Sequence, residues 1–180
     1  WVSEHPNLVI LRTFSKIYGL AGLRLGYAIA DPQVVSALDK IRQPFNVDSL
    51  AQVAALESLK HPERLVERRD VIATERIRVA KRLAEMGISS HPTQANFLLV
   101  DVTGLDMPGP EVPQALLTMG VLIRSGYSMD CPGWIRVTIG EAREGDLFLE
   151  AMERLRRGKV RLEVGDIKDA PDADSLSPAS

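Results

Sequence analysis

One cysteine, Cys131, leaves no partner for an internal disulfide and no basis for a cysteine-built metal cluster. It lies in Met129-Asp130-Cys131-Pro132-Gly133, with no basic companion to lower its pKa, so a nucleophilic role is not expected. The three histidines, His5, His61 and His91, are scattered and each precedes a proline, which gives loop residues and no metal site. No apolar run is long enough to span a bilayer. A formal charge of −2 gives no reason to expect a nucleic acid or an anionic membrane as partner. The first ten residues lack a basic-then-apolar leader, which makes a cytoplasmic location the default expectation. There are no internal repeats.

What is present suffices for a folded domain: 180 residues, 45% of them hydrophobic. Asn7 to Leu11 is a short continuous apolar stretch, expected to be a strand buried on both faces as in a parallel sheet. Leu23 to Ala30 is expected to be a second strand. Asp31-Pro32 opens a helix, with an acid at the N-cap and proline at the first helical position. That helix runs to about Arg42 with Val34, Val35, Leu38 and Ile41 on one apolar face. Ser49 to about Lys60 is a short helix. Glu63 to Met86 is a long one, stopped by Gly87. Two apolar series mark its core side, Leu65, Ile72, Val79 and Leu83 beside Val66, Ala73, Ile77, Ala80 and Ala84. Its charged residues, Glu75 and Arg78 among them, read as a solvated, ion-paired face. Strands are then expected at Ile88–Ser90, Ala95–Asp101, Val121–Arg124 and Trp134–Ile139, with helices at Glu111–Met119 and Glu144–Arg157. The tail, 159–180, is polar and expected to be disordered.

Thr13-Phe14-Ser15-Lys16-Ile17-Tyr18-Gly19-Leu20-Ala21-Gly22-Leu23-Arg24-Leu25-Gly26-Tyr27 is the most informative stretch. Apolar runs lead into and out of it. Between them stand two hydroxyls, a lysine, glycines and an arginine. Glycines allow a backbone to approach a ligand closely, and hydroxyls and arginine are good phosphate partners. A lysine beside such a site suits a carbonyl cofactor with a phosphate handle, bound covalently through its aldehyde.

The whole stretch resembles the pyridoxal-phosphate lysine motif of the class I/II, fold-type I, aminotransferases, and is most similar to their histidinol-phosphate branch. Arg42-Gln43-Pro44-Phe45-Asn46-Val47 with Ser49-Leu50-Ala51-Gln52 is similar to the same branch. The resemblance covers roughly the first 155 residues. It implies an α/β fold: the end of the large cofactor-binding domain over 1–60, a small C-terminal α/β domain over 61–158, and a tail over 159–180. Because a family member carries about as many residues again before the lysine region, the chain is expected to be the C-terminal half of a longer enzyme.

The resemblance also implies roles. Lys16 would hold pyridoxal 5'-phosphate and, once freed by substrate, move a proton at the substrate Cα. Thr13, Ser15 and Arg24 would bind the cofactor phosphate. Arg136, in Trp134-Ile135-Arg136-Val137-Thr138-Ile139-Gly140, matches the arginine that receives the substrate's anionic group. Alternation with Ile135, Val137 and Ile139 puts it on the opposite strand face. Arg124 is a second candidate, and two arginines on one small anion suit a phosphomonoester better than one carboxylate. Asn96 either lines the cleft or caps a turn. Asn46 either belongs to a plain inter-helix loop or lies near the neighbouring subunit's cofactor in a homodimer. The acid that faces the pyridinium nitrogen, the aromatic that stacks on the ring and the glycine-rich phosphate turn are absent from the matched region. Ser125 to Asp130 departs from the family's glycine-rich pattern, which leaves the substrate open.

The partners so implied are a small-molecule amino donor and a 2-oxo acid: L-histidinol phosphate and 2-oxoglutarate first. Threonine-phosphate decarboxylase and aromatic aminotransferase activity are alternatives on the same fold. An inactive half-protein is the alternative of another kind.

Overall fold

The computed structural model describes residues 1–158; the tail expected over 159–180 lies outside them. The chain divides into two compact units, Trp1–Arg69 and the part from Asp70 onward. The division falls inside one long helix.

In the first unit, strands β1 (Ile10–Thr13) and β2 (Gly26–Ile29) form an antiparallel ribbon with Ile10 opposite Ile29 and Thr13 opposite Gly26. The buried parallel strand expected near Asn7–Leu11 is therefore corrected: β1 pairs antiparallel, begins three residues later, and is exposed along its length. A continuous apolar run records what both faces of a strand would bury. It carries no information on strand direction, and among the described residues no second layer covers this ribbon. Helix α1 (Pro32–Asp39) starts as the sequence indicates, with the Asp31 carboxylate accepting from the Gln33 amide at 2.8 Å. It ends short of Arg42, and its expected apolar face is not buried, Ile41 standing 79% exposed. Helix α2 (Ser49–Leu59) is capped by Asp48, which accepts from the Ala51 amide at 2.8 Å. Phe14, Ala51 and Ala55 are the buried apolar side chains of this unit among the described residues.

Helix α3 (Pro62–Glu85) leads into the second unit and stops at Gly87, whose φ of +76° suits glycine in the helix-ending position. Of the two apolar series on α3, the first faces the core, with Val79 and Leu83 buried and Ile72 packed beside them; Ile77 of the second is 67% exposed. Two adjacent series span more of the helix circumference than one core contact can cover.

A three-stranded antiparallel sheet follows, in the order β3 (Phe97–Asp101), β5 (Trp134–Thr138), β4 (Arg124–Ser125). Helices α4 (Val112–Thr118) and α5 (Ala142–Arg156) complete the unit. The strand expected at Ile88–Ser90 reduces to a single bridge, Ser90 to Val100, and that expected at Val121–Arg124 lies later, at β4. Leu98 and Val100 alternate with Ile135 and Val137 on the buried sheet face, against Val79, Leu83, Leu116, Phe148 and Met152. Each such side chain stabilises by about 1.5–3 kcal/mol on burial.

One charge on α3 departs from the solvated face expected of it. Glu75 is buried, its two oxygens taken by Arg78 Nε and Nη2 at 2.8 and 2.7 Å. Arg78 continues to Asp146 at 2.8 Å and to the Ala142 carbonyl at 3.1 Å, tying α3 to the start of α5. Those two carboxylates hold the Arg78 guanidinium above its ordinary pKa. No described helix is long and apolar enough to cross a membrane.

Candidate active site

The sequence-selected residues fall into two groups, one in each unit. In the first, β1 ends at Thr13 and the chain turns through Phe14–Leu20 and a 3-10 turn, Ala21–Leu23, before β2 returns. Phe14 anchors this turn. It is 3% exposed and lies between the rings of Tyr18 and Tyr27, at 4.6 and 5.8 Å. Its amide donates to the Leu25 carbonyl and its carbonyl accepts from the Leu20 amide, both at 3.0 Å. The Gly19 amide closes back on the Lys16 carbonyl at 2.9 Å. Gly26 is needed where it stands, because a Cβ there would come within 2.7 Å of the Arg12 carbonyl oxygen.

Lys16 is exposed at the bend. The Thr13 hydroxyl accepts from the Ser15 amide at 3.0 Å, so these two donors are joined directly. Arg24 follows the 3-10 turn in the left-handed conformation, φ 50°, and its Nη1 donates to the Ala21 carbonyl at 2.9 Å. The Thr13–Gly26 register brings Arg24 back to the same end of the ribbon as Thr13, Ser15 and Lys16. From Thr13 to Tyr27 there is no acidic residue. An amine, two hydroxyls and a guanidinium without a competing carboxylate fit a phosphorylated aldehyde. One further cation meets the turn: Arg68 Nη1, from α3, donates to the Ile17 carbonyl at 2.9 Å.

Asn46 lies in the exposed loop between α1 and α2. The positive backbone angle in this loop belongs to its neighbour, Phe45, whose φ is 59° and whose side chain is fully exposed.

In the second unit, Arg136 stands on β5 between the buried Ile135 and Val137 and faces away from the core. Its register partner on β4 is Arg124 and on β3 is Leu99. Paired residues on neighbouring strands share a sheet face, so the fold brings the two arginines together. The Arg136 guanidinium lies 5.2 Å from the centre of the Phe97 ring. Arg124 Nε reaches the Ser128 hydroxyl at 3.5 Å. Among the described residues neither arginine is paired with a carboxylate. Asn96 is exposed just before β3, its carbonyl accepting from the Ile139 amide at 2.8 Å. The capping side chain of this turn is Thr93, which accepts from the Ala95 amide at 3.0 Å.

Sequence reasoning passed over Arg68, Arg76 and Phe97. Arg76 Nη1 donates to the Ala95 carbonyl at 3.0 Å and to the Gln94 carbonyl at 3.4 Å, holding the turn that presents Asn96. Both arginines looked like surface charges of α3. Phe97 had a legible signal, since it and Leu99 share a strand face two residues apart.

Residues 1–152 match the family model of the aminotransferases of class I and II. The chain belongs to the class I and II aminotransferases. It is 42% identical over 160 residues to a histidinol-phosphate aminotransferase of Brevibacillus brevis, covering 89% of this chain and 43% of the relative. The crystal structure of histidinol-phosphate aminotransferase from Sinorhizobium meliloti in complex with pyridoxal-5'-phosphate superposes with a TM-score of 0.76 at 32% identity, over 86% of this chain and 42% of that one. The L-threonine-O-3-phosphate decarboxylase of Porphyromonas gingivalis shares the fold, with a TM-score of 0.72 at 24% identity, over 84% and 47% of the two chains. This aminotransferase chain thus spans less than half the length of the relatives it matches.

Proposed function

We propose that the chain contributes the lysine and the substrate-anion face of a pyridoxal-phosphate-dependent, cytoplasmic, homodimeric aminotransferase. Its amino donor is L-histidinol phosphate and its acceptor 2-oxoglutarate, a step of histidine biosynthesis. Resemblance to the Brevibacillus and Sinorhizobium enzymes supports the chemistry. The single observation that carries the substrate class is the Arg124–Arg136 register pair, two guanidinium groups on one sheet face. A dianionic phosphate satisfies two such forks where a lone carboxylate satisfies one.

Bound pyridoxal phosphate supplies an electron sink that acidifies the substrate Cα–H. Thr13, Ser15 and Arg24 hold the cofactor phosphate. Lys16 Nζ would hold the cofactor through its aldehyde carbon and, when free, would move the proton at the substrate Cα. Arg136 and Arg124 bind the substrate phosphate, and Phe97 keeps the Arg136 guanidinium in place from beneath. Asn96 would border the substrate, and Asn46 would lie near the second subunit's cofactor.

The test is an Arg124→Gln variant of the enzyme that contains this chain. Loss of one charged hydrogen-bond partner lowers kcat/KM for histidinol phosphate by about 10- to 100-fold. Turnover of phenylalanine, which has no phosphate, changes little. An equal loss on both substrates contradicts the phosphate assignment. Conversion of threonine phosphate with release of carbon dioxide, in place of transamination, favours the decarboxylase reading instead.

A further inference from the structure

We infer that Arg68 is a positioning residue for Lys16, acting through the peptide that follows it. The inference rests on the reading of Lys16 as the cofactor lysine. Within the lysine turn, the chain satisfies its own carbonyls at Phe14 and Lys16, through the Leu20 and Gly19 amides. The Ile17 carbonyl is instead filled from outside the turn, by Arg68 Nη1 at 2.9 Å, from 51 residues away in sequence. A second observation puts the guanidinium against the same turn. Gly19 has φ +74°, and a Cβ built there would lie 3.6 Å from Arg68 Nη1.

Arg68 makes this contact although carboxylates are close along the helix. Glu67 is taken by Arg64 at 3.2 Å, and among the described residues Arg68 has no acidic partner. A charge-assisted bond to a carbonyl is stronger than a neutral one, and the guanidinium fork holds its direction better than a lysine ammonium. Phe14 fixes the base of the turn by burial, while Arg68 fixes its outer peptide. Lys16 lies between these two anchors, on an exposed stretch that has no packing of its own to define where Nζ reaches. Reacting groups misplaced by about 1 Å lose on the order of 100-fold in rate, so a clamp one residue from the lysine has a direct effect on its chemistry.

The test compares the enzyme that contains this chain with its Arg68→Ala, Arg68→Lys and, as a surface control, Arg64→Ala variants. Two readouts are taken: amide hydrogen exchange at Gly19 and Leu20, and the fraction of Lys16 labelled by pyridoxal phosphate and borohydride, read by peptide mass. Arg68→Ala is expected to speed exchange and cut labelling at limiting pyridoxal phosphate by roughly tenfold each, as suits loss of one charged hydrogen bond. Arg68→Lys, which keeps one donor, recovers part of both, and Arg64→Ala matches the parent. Unchanged exchange and labelling in Arg68→Ala overturn the positioning role and leave the Lys16 reading intact. A parent enzyme whose Lys16 takes no label overturns the Lys16 reading, and the positioning role with it.

Discussion

Arg24 stands in a conformation that most side chains avoid. Its φ of 50° and ψ of 43° follow the 3-10 turn and direct the chain back into β2. A non-glycine residue pays roughly 1–2 kcal/mol for that geometry, and such strain clusters at functional positions. Two variants separate backbone cost from side-chain use. Arg24→Gly and Arg24→Ala both lose the guanidinium, and both are expected to weaken pyridoxal phosphate binding by at least tenfold. Arg24→Gly should nevertheless unfold at higher denaturant than Arg24→Ala, by about 1 kcal/mol, because glycine adopts the left-handed region freely. Equal stabilities would show that the turn can relax. Strain of this kind was not legible beforehand. The composition of the lysine stretch pointed to a phosphate site, whereas which residue takes the left-handed angle depends on how the turn closes. The same applies at Phe45, whose φ is 59°.

The stop of the long helix was legible: Gly87 has φ of +76° at the position the pattern marks. The burial of Glu75 was not. Helical periodicity places it among charged neighbours, and only the packing of α3 against α5 shows that Gly145 leaves room for its carboxylate. A Cβ at Gly145 would collide with Glu75 Oε1. Arg78→Ala leaves that carboxylate buried and unpaired. The expected loss is about 2–3 kcal/mol of stability, below the cost at a fully buried pair because Arg78 is partly exposed. Chemical denaturation measures it, and a loss under 0.5 kcal/mol would mean that water replaces the arginine.

At the end of α5, Arg156 and Arg157 hold Glu153 down to about 2 from an ordinary value of 4.5. A lowered folded-state pKa stabilises above the unfolded value and loses that contribution as pH falls through the folded one. Glu153→Gln should therefore be less stable than the parent near neutral pH. The difference should shrink between about pH 4.5 and 2 and vanish below. A difference independent of pH would point to packing instead of charge.

At the scale of the whole molecule, the two units differ in how far sequence reading reached. The second unit folds around alternating strand residues that binary pattern identifies well, Leu98, Val100, Ile135 and Val137. The same alternation left Arg136 on the far face, and the register then paired it with Arg124. That pairing could not be read from the sequence, because the loop between β4 and β5 sets the register. The first unit kept its motif but not its expected layers: the ribbon of β1 and β2 is antiparallel, and its apolar side chains stay exposed. Local residue identity specified the lysine turn, and sheet direction required the structure.

The central proposal is that the chain carries both a lysine turn suited to a phosphorylated aldehyde and an arginine pair suited to a phosphorylated amine. The most direct measurement is the ratio of kcat/KM for histidinol phosphate to that for phenylalanine, with 2-oxoglutarate as acceptor, in the enzyme that contains this chain and in its Arg124→Gln variant. The account predicts a ratio well above one that falls by about 10- to 100-fold in the variant. A parent enzyme that does not turn over histidinol phosphate, or a ratio unmoved by the substitution, would contradict it.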